Sequence, residues 1–185
     1  MPPYFMVFGV ESVGLHGDAY AVGYAVIDAD GKEVEAGGWC VSPQLVRGTP
    51  EGLGWATDNA WYVRGTDWGA GLACLLCDRD MRGRFWSAWG RWKRKGAWLA
   101  ADVPWPVKSR FLSECVLDNP WDRELAGPYP LIDVASVRLA AGYDPLATEL
   151  RHPGEEPAHD PLADARQSAR LLLEALARPL PGGTP

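Results

Sequence analysis

Four cysteines in 185 residues (Cys40, Cys74, Cys77 and Cys115) are too few to staple a chain of this size, so no disulfide framework or oxidising compartment is indicated. No run approaches the roughly 18 apolar residues a membrane span needs, because Gly, Asp or Trp interrupts every apolar window. Residues Met1 to Tyr4 lack the basic start and apolar centre of a signal peptide, which makes the cytoplasm the expected location. Repeats and a linker to a second domain are also missing. Cationic excess is lacking too: 18 Lys and Arg stand against 24 Asp and Glu, a formal charge of -6, which argues against broad nonspecific affinity for nucleic acid. The average conceals a local exception, since 7 of those 18 cations lie between Arg79 and Lys95. What the chain does have is 47% hydrophobic residues and ten tryptophans, enough for a packed core. The expectation is one domain over residues 1–178 and a disordered tail over 179–185.

Apolar patterning predicts the elements. Tyr4 to Val10, Ala19 to Ile27 and Glu33 to Ser42 read as three strands joined by tight turns, the first central and the third outer. Residues 43–78 show no sustained period and are expected to be loop with short helical pieces. Phe85, Trp86, Trp89 and Trp92 recur at three- and four-residue spacing, the stripe of an amphipathic helix over Arg79 to Lys95 with a basic opposite face. Ala97 to Val103 reads as a strand, Val107 to Leu117 as a helix, Tyr129 to Val134 as a strand and Ala135 to Ala141 as a short helix. Asp160 to Ala177 reads as a long final helix with Asp160 as N-cap and Pro161 at its first position. The sum is an α/β domain with a mixed sheet of five strands flanked by helices.

Glu11 and Asp102 follow apolar strands, where a charge leaving water needs a partner or a metal. Asp164 lies near the start of the final helix, five residues after His159. Taken alone, Glu11 reads as a solvated turn residue, and Asp102 as a helix cap about as readily as a ligand.

Three stretches change that balance. FGVESVGL (residues 8–15), WLAADVPWPVKSRFL (98–112) and AHDPLADARQSARLL (158–172) resemble, in order, the three motifs of the DEDDh branch of the 3'-5' exonucleases, a family with the ribonuclease H-like fold. The resemblance spans residues 4–178. It implies hydrolysis of phosphodiesters from a single-stranded 3' end, RNA or DNA, releasing nucleoside monophosphates. Glu11, Asp102 and Asp164 would hold two Mg²⁺ or Mn²⁺ ions, and His159 would activate the attacking water. Ser12, Val13, Gly14, Leu15 and Trp105 are carried over as nucleic-acid contacts.

The chain departs from the pattern at Gly9, where the family has its first metal-binding aspartate. The expectation is an exonuclease impaired at this one position and restored by Gly9→Asp, with a noncatalytic nucleic-acid-binding module on the same fold as the alternative. Other motifs have plainer readings. Cys74-x2-Cys77 lacks the remaining ligands of a zinc site and is expected to be a pair of buried inert thiols. The tryptophan stripe is expected in the core more than as a stacking platform, and Arg91 to Lys95 favour the helix dipole more than a phosphate. Oligomeric state is not legible.

Overall fold

A computed structural model describes residues 2–59, 72–145, 147, 152 and 159–178. The first three strands form the expected meander: β1 (Tyr4–Ser12), β2 (Ala19–Asp28) and β3 (Glu33–Cys40), antiparallel throughout. The helix α1 (Pro50–Asn59) leads toward β4 (Leu72–Cys74), which pairs parallel to β3. Next come α2 (Asp78–Lys93), β5 (Ala97–Ala101), α3 (Val107–Leu117), α4 (Pro120–Arg123), β6 (Leu131–Asp133), α5 (Val134–Ala140) and α6 (Pro161–Ala177). Strands β5 and β6 extend the sheet in parallel on the far side of β1, giving the order β4-β3-β2-β1-β5-β6.

The sheet has six strands where five were expected. The extra one, Leu72–Cys74, is three residues long and carries no periodicity of its own. Its structure comes from the ladder it makes with Gly38 to Cys40, a tertiary contact that patterning cannot register.

Alternation along β1 divides the core. Met6, Phe8 and Val10 face α2 and α3, where Phe8, Phe85 and Phe111 meet with ring centroids 5.1 to 6.5 Å apart. Phe5 and Val7 face α6, packing with Ala169, Leu171 and Leu172. Trp89 and Trp92 are buried, as the core reading of the stripe predicts, and Trp86 packs at its margin. The cations of that helix have internal partners: Arg91 pairs with Glu35, Lys93 Nζ donates to the Ala126 and Gly127 carbonyls, and Lys95 lies over Trp92. Helices α2 and α3 are joined by buried Arg82, which donates to Asp78 at 2.7 Å and to both Asp118 oxygens at 2.7 and 2.9 Å.

One cysteine expectation is corrected. Cys40 and Cys115 are buried, but Cys74 and Cys77 are exposed, because β4 is an edge strand and Cys77 precedes α2 at the surface. Among the described residues no helix is long and apolar enough to cross a membrane. The expected tail, 179–185, lies outside the described residues, as does 153–158 of the loop before His159.

Candidate active site

The site begins where β1 runs out beneath the start of α6. Asp160 caps that helix, its Oδ1 accepting from the Leu162 and Ala163 amides at 2.9 and 3.1 Å, and Pro161 occupies the first turn. The cap is 2% exposed and fixes the helix start against the sheet. It seats Asp164 one turn along.

A row of glycines makes the close approach possible. Gly9 of β1 is in register with Gly23 of β2, and Gly23 with Gly38 of β3. A Cβ on Gly23 would lie 2.5 Å from Pro161 C and Leu162 Cα. One on Gly9 would lie 3.2 Å from Pro161 C and Cα and closer still to the Pro161 carbonyl oxygen. Backbone of α6 therefore fills the space a residue-9 side chain would occupy. The expectation that an aspartate would fit back at this position does not hold. Gly9 belongs to a packing surface, and its replacement requires the helix to move.

Glu11 lies on the same face of β1 as Gly9. Burial, and then the neighbouring Asp164 charge, push its carboxyl up to about 8, with a hydrogen bond between the two side chains. His159 Nδ1 stands 3.9 Å from Glu11 Oε2, with its ring edge-on to Trp55 of α1 at 4.8 Å between centroids. Its φ of 69° is left-handed and held by the turn into the Asp160 cap.

Asp102 lies two residues beyond the last β1–β5 pair, Val7 with Ala100. Burial raises its carboxyl above the ordinary range, while Lys108 and Arg138 oppose that with their charges and Asp133 adds to it. Val103, which follows, has φ 41°, an outlier for a β-branched residue beside the site. Lys108 also acts on Glu11, so one internal cation serves both acids.

A cavity of about 340 Å³ opens beside Glu11 and His159, walled by Val10, Ser12, Gly14, Leu15, Gly52, Trp55 and Val107. Ser12 Oγ donates to the Gly14 carbonyl at 2.8 Å and shapes its rim. Leu15 is 66% exposed at the mouth. Val13 is buried in the core, and Trp105 is exposed outside the cavity wall. Thus Glu11, Asp164 and His159 are brought together, with Asp102 near the next strand end. Trp55 and Lys108 were missed by sequence reading: α1 has little amphipathic signal, and an isolated lysine carries none.

The expected two-ion ligand set is incomplete among the described residues. Among the described residues no group of three or more His, Cys, Asp or Glu is spaced to hold a metal ion. Residue 9 offers no ligand, and the space its side chain would need is filled by α6 backbone.

The central antiparallel meander, the parallel strands added beside β1, and the helices on both faces define a ribonuclease H-like α/β fold. The same fold is seen in Exonuclease I from Methylocaldum szegediense, described as moderately thermophilic: the TM-score is 0.60 at 15% identity, over 95% of this chain and 41% of that one. The chain thus spans about two fifths of that exonuclease. No family model and no curated protein sequence matches.

Proposed function

We propose that the protein binds the 3' end of single-stranded nucleic acid on a nuclease fold without two-metal hydrolysis. The observation that carries this reading is the start of α6 seated on Gly9, where the family has its first metal ligand. Loss of a single side chain would leave a gap; here that space is occupied by α6 backbone, and Gly23 on the adjacent strand β2 lies against the same turn. Burial raises the carboxyls of both Glu11 and Asp102, with Asp164 adding to the first and Lys108 opposing both shifts.

The cavity suits a terminal nucleobase. Its walls are largely apolar, Trp55 offers an aromatic face or edge, and base-aromatic stacking contributes about 1–3 kcal/mol per base without sequence preference. Neutral Glu11 adds a proton donor that an ionised carboxylate lacks. In this reading His159 braces Trp55 and hydrogen-bonds the terminal sugar.

The test is a paired assay on 5'-labelled single-stranded RNA and DNA. Anisotropy is expected to report binding that is equal with Mg²⁺, Mn²⁺ or a chelator, with no release of monophosphates. The retention of Glu11, Asp164 and His159 favours residual exonuclease activity as the second reading. Metal-dependent release of monophosphates that disappears in both His159→Ala and Asp164→Asn would establish it and overturn the first.

A further inference from the structure

Beside the terminal cavity lies a second one of about 400 Å³, and Gly14 and Leu15 form part of the wall of both. Its floor is an unusual acid. Asp18 is 4% exposed, yet it supports two arginines from distant parts of the chain. Its Oδ2 accepts from Arg47 Nε at 3.0 Å and from the Arg47 amide at 3.3 Å, and its Oδ1 accepts from Arg110 Nη2 at 2.7 Å. Burial pushes the Asp18 carboxyl up, and the hydrogen bonds from both arginines outweigh it, holding the group below the usual carboxylate range. The acid is therefore ionised and serves as an anchor.

The anchor consumes only part of each guanidinium. Arg47 spends Nε on Asp18, and its side chain is 89% exposed. Arg110 spends Nη2 on Asp18 and Nε on Glu114 at 3.0 Å, with 42% of its side chain exposed. Within the described residues the Arg47 Nη groups make no hydrogen bond. Two forks are thus held in fixed directions at a cavity that also presents His16 and the Gly17 and Gly48 backbone. Arg47 and Arg110 stand against Asp18 at the cavity, and Glu114, ion-paired to Arg110, brings the cluster to two positive and two negative charges, with the exposed Nη groups of Arg47 its outermost part. Fixed, partly unspent guanidiniums are phosphate receptors.

We propose that Arg47 and Arg110, held on Asp18, clamp a backbone phosphate of the strand whose terminal base occupies the neighbouring cavity. This rests on the 3'-end-binding reading and adds to it a direction, since the strand leaves over Gly14 and Leu15 toward α3. The ligand is a phosphodiester inside a chain, so a nucleoside monophosphate, which fills the terminal cavity alone, does not reach the clamp.

The full-length protein is titrated with a short 5'-labelled single-stranded oligonucleotide and, separately, with a nucleoside monophosphate, across a range of salt. Arg47→Gln is expected to weaken oligonucleotide binding about tenfold. It should lower the salt slope by about 0.7, the value for one phosphate contact on a single strand, and leave the monophosphate unaffected. Asp18→Asn removes a negative charge and is nevertheless expected to weaken the oligonucleotide, because both guanidiniums lose their charged anchor. Tighter binding by Asp18→Asn would mean that bulk charge governs affinity and would overturn the clamp. If that variant does not fold, Arg47→Gln decides, its side chain being mostly in solvent. Oligonucleotide binding and slope unchanged in Arg47→Gln refute the clamp and leave end binding standing; failure of the unaltered protein to bind any oligonucleotide refutes both.

Discussion

Backbone of α6 occupies the space a side chain at position 9 would need. The geometry predicts that Gly9→Asp will not generate an active nuclease, because its Cβ meets the Pro161 backbone before the carboxylate can reach an ion. Overpacking of this kind costs about 1–3 kcal/mol, to be read from urea unfolding; a variant of unchanged stability that releases monophosphates with Mn²⁺ would contradict it. Glu11 makes a second residue-scale prediction. Its folded-state pKa, about 8, lies above the ordinary 4.5, so the folded protein binds the proton more tightly. This group's stabilisation is complete below about pH 4.5 and is lost as pH rises through 8. The slope reaches at most about 1.4 kcal/mol per pH unit. Glu11→Gln should flatten the dependence of Tm on pH in that window and raise Tm at its alkaline end. A variant with the slope of the unaltered protein would show that Glu11 is not the titrating group.

Helix α6 is the element on which the site depends. Its register against the sheet is set by the Asp160 cap at one end and by Gly9 and Gly23 beneath its first turn. Asp160→Ala removes two buried hydrogen bonds and should cost about 1–2 kcal/mol. Because His159 and Asp164 flank the cap, oligonucleotide affinity should fall along with stability, whereas a full-affinity Asp160→Ala protein would separate the cap from the site. The α2–α3 junction is a purely structural counterpart. Arg82→Ala leaves Asp78 without its ion pair and Asp118 with only Arg79 at 3.9 Å, and should cost about 3–5 kcal/mol. Oligonucleotide affinity measured on the fraction that remains folded should not change.

For the whole molecule, the electrostatic balance bears on substrate form. A chain of charge -6 has no general field to hold nucleic acid, so under the proposed function binding would come from local groups and a threaded end. Affinity should fall with salt and should rank a single strand with a free 3' end above a blunt duplex. A closed hairpin without a free end competes poorly in this account; equal competition in anisotropy would exclude recognition of the terminus.

Sequence alone determined the three-strand meander, the α2 core stripe and the Asp160 cap. Each is written locally, in a period of two or 3.6 or a cap residue before proline. Tertiary structure alone decided the sixth strand, the exposure of Cys74 and Cys77, the approach of Trp55 and Lys108, and the gathering of Arg47 and Arg110 on Asp18. It also decided the meaning of Gly9. Read along the chain, that glycine stands where the resemblance expects a carboxylate; across the sheet it is one of two glycines, with Gly23, on which the start of α6 rests. Contacts between residues far apart in sequence leave no periodicity to read, and the space a side chain lacks is visible only when its neighbours are in place.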